Sequence, residues 1–453
     1  MASEMSAVSA GAVLLFVLFL ILMLISCQRK KSQQGGAASG PLQGLYLFLF
    51  RSAPPSLPGP PGHFLIGNMM ELMHDHLPIH LTSLAQRYGS IYRLKCGNTT
   101  MVVLNSGELI RETLVRKWSD FAGRPISYTG DIVSGGGRNI SLGDYTEEWR
   151  AHRRLVHGAL QRCCQQSLHS VIERQALHLR KVLMGYQGSP VDLSEDFTVA
   201  ASNVITTLAF GKELQGHQSE DSITGSLLQA LDKHQNTKEG QLLTDVHVHM
   251  ATVDLLIGGT ETTAAWLNWT VAFLLHRPEI QDKVYEELCT VPEGRYPKYS
   301  DRQRLPVLCA LVNEVLRLRP VAPLAVPHRA IRNSSIAGFF IPKNSVIIPN
   351  LFGAHHDPAV WSEPYSFKPE RFLEGGGGST RALVPFGGGA RLCLGESVAK
   401  MELFLFTAYL LRDFQFILPE SNVFPPDLRG IATVVLKIKP YKVIARPRPA
   451  IGP

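Results

Sequence analysis

The longest apolar run in the chain comes first. No charged residue occurs from Met5 to Gln28, and Val8 to Cys27 (VSAGAVLLFVLFLILMLISC) offers about 20 apolar residues, the length of one bilayer crossing. Positive charge follows the run as Arg29, Lys30 and Lys31, with only Glu4 ahead of it. A cleaved signal peptide has a shorter apolar core that begins after positive charge. The pattern therefore predicts an uncleaved single-span anchor over residues 1–31, with its N-terminus outside and everything after Lys31 in the cytosol. Residues 32–62 read as a linker. In it the apolar hexamer Leu45 to Phe50 suits a membrane surface or a packed loop, and the proline run from Pro54 to Pro61 is stiff and cannot continue a helix.

Residues 63–453 read as one mainly α body with a small β region and no internal repeat. A strand-like patch stands at IYRLKCGNTTMVVLN (91–105). Residues 196–214 read as a helix, and HMATVDLLIGGTETTAAWLNWTVAFLL (249–275) as a longer one, apolar on most faces. A helix greasy all round belongs at the centre of a large core. A further helix over 307–320 precedes short strands near 335–350, and an irregular proline-rich run leads to a glycine loop and a last apolar helix over 394–411.

Length and charge narrow the classes. The 453 residues suffice for one large enzyme core. The net charge of +7 suits an anionic membrane face or an acidic partner, while the absence of a concentrated basic stripe argues against nucleic acid. Seven cysteines, an odd number without a secreted-type spacing, fit a reducing compartment. The sequons at Asn98, Asn139, Asn268 and Asn333 would stay unused in a cytosolic body, and His247 and His249 stand too close in sequence to share a helix face as metal ligands.

The candidate chemistry centres on Cys393, in VPFGGGARLCLGESVAK. A phosphate cradle needs a lysine and a Ser or Thr closing the loop, and neither follows Gly389. A dinucleotide loop needs a third glycine where Leu392 stands. A nucleophilic cysteine needs a histidine base that the sequence does not place. A metal thiolate explains more of the stretch. The amides of the following helix would lower the pKa of Cys393, the glycines at 387–389 let backbone approach a flat bulky ligand, and Gly395 keeps the sulfur uncrowded. A single cysteine excludes an iron–sulfur cluster and points to haem with a cysteine axial ligand.

Phe386-Gly-Gly-Gly389-Ala-Arg391-Leu-Cys393-Leu-Gly395 resembles F-x-x-G-x-R-x-C-x-G, the haem-binding loop of the cytochrome P-450 monooxygenases. Glu314 and Arg317 resemble that family's E-x-x-R, with Arg371 of KPERF as the third member of a buried ion triad, a structural role. GGTETT resembles its oxygen-side helix motif. Gly258 and Gly259 cost roughly 1 kcal/mol each against alanine, which close approach to haem would justify, and Glu261 with Thr262 would relay protons. The resemblance further implies that Arg124, Trp149, Arg153, His328 and Arg391 contact the haem carboxylates, and that Val253, Asp254, Gly258 and Val326 contact substrate.

What the resemblance implies is the P-450 fold with one N-terminal transmembrane helix, haem b on the Cys393 thiolate, and residence on the endoplasmic reticulum membrane with the body cytosolic. Electrons would come from NADPH through a membrane reductase. Within the family, KWSDFAGRP, HVHMATVDLLIGGTETT, EVLRLRPVAPLAVPHR and IIPNLFGAH look closest to the steroid 21-hydroxylase branch, which acts on progesterone and its 17-hydroxy derivative; the 17-hydroxylase/17,20-lyase branch is the alternative. One departure stands out. The 211–245 interval accommodates one helix, near DSITGSLLQALDKHQ, where family members place two more that roof the substrate pocket. A chain with an open roof leaves a further alternative, an impaired isoform that only binds haem.

Overall fold

The computed structural model describes residues 56–211, 222–234, 242–373, 381–420 and 424–449, so the expected anchor and most of the linker lie outside the described residues. The chain divides into Met1–Pro55 and Ser56–Pro453, and only the second unit is described. Among the described residues no helix is long and apolar enough to cross a membrane.

The body is helical. Its main elements are α1 (Leu77–Tyr88), α2 (Glu147–Gln166), α3 (Leu168–Gly185), α4 (Ser194–Phe210), α5 (Ile223–His234), α6 (Asp245–His276), α7 (Pro278–Cys289), α8 (Pro306–Leu318) and α9 (Glu396–Asp413). Local chemistry sets several of these ends. The Thr146 hydroxyl accepts from Trp149 N at 3.1 Å and starts α2. Pro278 and Pro306 occupy first-turn positions, where their missing N–H is no loss. Gly211, in the left-handed region at φ +69°, stops α4.

A four-stranded sheet lies to one side, in the order β1 (Ile91–Cys96), β2 (Thr99–Leu104), β4 (Val346–Pro349), β3 (His328–Arg329). The β1–β2 hairpin is antiparallel with Ile91 opposite Leu104, β2 runs parallel to β4, and β3 closes the edge. The other strands are short antiparallel pairs, including a hairpin of Ile431–Ala432 with Leu436–Lys437.

The largest core gathers α2 to α9 around two central helices. In α6, every residue from Thr263 to Leu275 is buried, Trp266 and Trp269 among them; in α9 the buried run is Glu402 to Arg412. Fully burying each large aromatic is worth about 2–3 kcal/mol, so these two helices anchor the fold. The first half of α6 differs: Ile257, Gly258 and Glu261 are exposed on a helix whose second half is sealed. That is the stretch the sequence singled out.

Candidate haem-thiolate site

The loop before α9 is built around two glycines of positive φ. Gly387 stands at φ +74° and Gly389 at +63°. A Cβ on Gly389 would lie 1.7 Å from the Leu114 carbonyl oxygen, and one on Gly388 2.8 Å from Val115 Cγ2, so the loop presses onto the turn at Glu112–Arg116. Cys393 N donates to the Phe386 carbonyl at 3.1 Å and closes the loop. Cys393 is solvent-accessible on one side and enclosed by protein elsewhere. Burial pushes its thiol above the usual range, and this outweighs the Gly395 N–H and the Arg153 charge, which act the other way. The backbone N–H contribution expected from the sequence is present through Gly395, with α9 starting at Glu396, but desolvation is the larger effect.

Cations converge behind the loop. Arg391 stacks its guanidinium 3.8 Å from the centre of the Trp149 ring and donates to the carbonyls of Ala122, Ile140 and Gly143. Arg124 donates to Ser141 O, Val326 O and Pro327 O, leaving its Nη2 unbonded among the described residues. Arg153 donates to Leu392 O, and His328, 4% exposed, donates from Nδ1 to Phe121 O at 2.9 Å. Burial and mutual repulsion push Arg391 down to about 8 and Arg124 down to about 9. The nearby carboxylate, Asp144, is already paired with Arg329. Such an excess of buried positive charge fits an anionic ligand at this edge.

Two of the expected site residues carry protein hydrogen bonds here. Trp149 donates its ring N–H to Ile140 O at 3.0 Å, and its ring is a platform for Arg391 and Arg153. Asp254, expected against substrate, accepts from Ile140 N at 2.6 Å, Ser141 Oγ at 2.7 Å, Asn139 Nδ2 at 3.1 Å and Ser141 N at 3.2 Å. It latches α6 to the loop before α2, and burial raises its carboxyl. Val253 and Val326 are half-buried.

The two glycines of α6 divide their reasons. A Cβ on Gly259 would meet Ile205 of α4 at 2.8 Å, so this glycine lets two core helices close. A Cβ on Gly258 meets nothing within 4 Å, nor does one on Gly387 or Gly395. Open space beside Gly258, Gly387 and Gly395, an accessible sulfur and an uncompensated cationic edge together fit haem. Thr262 Oγ1 donates to Gly258 O at 2.7 Å, while Glu261 reaches Lys437 Nζ at 3.2 Å. Lys437 was not legible, since it joins Glu261 from a hairpin 176 residues further along the chain.

The Glu314–Arg317 pair forms as its i,i+3 spacing predicts, and Arg371 joins it. Arg317 bonds both Glu314 oxygens at 2.8 Å, both residues are fully buried, and Arg371 Nε reaches Glu314 Oε1 at 3.2 Å.

The cytochrome P450 family profile matches residues 57–225 and 217–445, two stretches that overlap inside the 211–245 interval. Human steroid 21-hydroxylase is 39% identical over 87% of this chain and 92% of its own length, and the pig protein 37% over 86% and 92%. The human alignment runs over 468 positions, against the roughly 394 residues that 87% of this chain represents, so roughly 70 positions of the relative face gaps. Two solved structures of a zebrafish cytochrome P450 are similar. One, with abiraterone, has a TM-score of 0.76 at 32% identity and covers 83% of this chain and 100% of its own. The other, with progesterone, has a TM-score of 0.72 at 33% identity, covering 82% and 99%.

Proposed function

The chain belongs to the cytochrome P450 family and is a haem-thiolate monooxygenase of the steroidogenic kind, and from that premise we propose that it is a steroid 21-hydroxylase by descent, acting on progesterone and 17-hydroxyprogesterone. The observation that carries this reading is the 37–39% identity to 21-hydroxylases over most of the chain, above the 32–33% to the zebrafish structures. The 17-hydroxylase/17,20-lyase alternative predicts a different product from the same substrate.

Cys393 would hold the iron, and Arg124, Arg153, His328 and Arg391 the haem carboxylates. When bound, haem supplies the oxidising centre that inserts one oxygen atom of dioxygen into a C–H bond. The Thr262 hydroxyl, held on Gly258 O, keeps lone pairs free to accept, and Glu261, held by Lys437, is exposed and can exchange protons with solvent. Electrons from NADPH would arrive through an acidic-faced membrane reductase, which suits the net charge of +7, with the anchor placing the body on the cytosolic side of the endoplasmic reticulum membrane.

The splitting of the family match into two stretches that overlap at 217–225 supports the loss of two roof helices from the 211–245 interval. A pocket open to water binds a sterol weakly and diverts electrons to peroxide. The test is reductase-driven turnover of progesterone by this chain and by a chain carrying the absent segment grafted from a relative. The expected result is 21-hydroxylated product from both, at least tenfold more per NADPH from the graft. Product at C17 from the graft would overturn the positional reading; haem without product in both would leave only a haem-binding protein.

A further inference from the structure

Glu402 is a lone carboxyl in the apolar middle of α9, 2% exposed. Its one partner among the described residues is the Thr263 hydroxyl of α6, which donates to Oε2 at 3.0 Å. Thr263 directly follows the Gly258–Thr262 stretch, and α9 directly follows the Cys393 loop. We propose that Glu402 is a positioning residue: as an uncharged carboxylic acid it ties the helix after Cys393 to α6 through Thr263, and so holds the Gly258–Thr262 stretch in place. Its catalytic meaning rests on the haem-thiolate reading.

No charged side chain of the packed elements offsets its burial. From α2 the thiol of Cys164 faces it, itself pushed up to about 11 chiefly by burial and bonded to Ser397. The charged groups elsewhere on α9 are engaged away from it: Lys400 with Glu396, Asp413 with Arg180, and Arg412 with Gly294 O and the Tyr296 ring; Tyr409 bonds Glu173 of α3. On α8, Glu314 and Arg317 hold each other. Burial raises the Glu402 carboxyl to about 8, with Thr263 lowering it in part. Because the folded value lies above the unfolded one of 4.5, stability from this group is fully present below about pH 4.5, falls as pH rises, and levels off above about 8. An uncharged amide would escape that loss while accepting the same Thr263 hydrogen bond.

Three haem-loaded full chains test this in detergent: wild type, Glu402→Gln and Glu402→Leu. Two readouts are used: the thermal midpoint from pH 5 to 9, and amide hydrogen exchange across residues 258–262 at pH 7. The wild-type midpoint should decline between pH 5 and 8, while the Gln variant lacks that decline and melts higher at pH 8. Exchange in 258–262 should match wild type in the Gln variant and be several-fold faster in the Leu variant. Parallel pH curves for wild type and the Gln variant would overturn the uncharged state, and unchanged exchange in the Leu variant would overturn the tie. Should the Leu variant fail to fold, exchange in the Gln variant faster than wild type is the contradicting result. Neither readout needs product, so loss of the steroid reading leaves this inference standing or falling separately.

Discussion

Arg317→Ala is expected to destabilise the body by about 3–5 kcal/mol, a large share of the 5–15 kcal/mol that holds a typical domain. The guanidinium has no exposed surface, bonds both Glu314 oxygens, and donates to His355 O at 2.8 Å, Pro364 O at 2.7 Å and Ser366 O at 3.3 Å. Its loss leaves the buried Glu314 carboxylate with Arg371 and the Lys368 amide as its remaining partners, and strips the carbonyls of His355 and Pro364 of this donor. Urea denaturation followed by circular dichroism reads the effect as a collapsed midpoint. Arg317→Lys should recover little, because an ammonium cannot reproduce the two-pronged contact with Glu314 while reaching the three carbonyls. A midpoint within experimental error of wild type would show the triad to be dispensable.

Gly389→Ala should separate folding from ligand binding. At φ +63° any side chain is strained by about 1–2 kcal/mol, and here the added Cβ would sit 1.7 Å from backbone oxygen of Leu114, which cannot rotate away. The loop must lift off the Glu112–Arg116 turn and carry Cys393 and Arg391 with it. The helical core lies elsewhere and should persist, so the expected outcome is unchanged far-ultraviolet circular dichroism with loss of most bound haem. Gly185→Ala, whose Cβ meets nothing within 4 Å, is the matched control and should bind haem as wild type does. Retention of haem by Gly389→Ala would contradict the close loop contact.

Much of this architecture was readable because its determinants are local. The long helix expected over 249–275 forms as Asp245–His276, and the one expected over 307–320 as Pro306–Leu318, since apolar periodicity and first-turn prolines act within a few residues. The Glu314–Arg317 pair was legible for the same reason: i,i+3 spacing places both on one helix face. Long-range pairings were not. Asp254 finds its partners more than 110 residues away, and nothing near it in the chain distinguishes a latch from a substrate contact. Gly259 shows a pattern with two causes, where close packing on Ile205 suffices. Glu402 did leave a signal, a single acid inside MELFLF, but its partner Thr263 lies 139 residues earlier and only the packed helices reveal it.

The central claim is that Cys393 holds haem iron as a thiolate in this chain, roof or no roof. The most direct measurement is the carbon monoxide difference spectrum of the purified, reduced protein beside its Cys393→Ser variant. The account predicts the far-red-shifted Soret band of thiolate-ligated haem in the wild type and its loss in the variant. A shifted band that survives Cys393→Ser, or no band even when the 211–245 interval is replaced by a relative's segment, would contradict it.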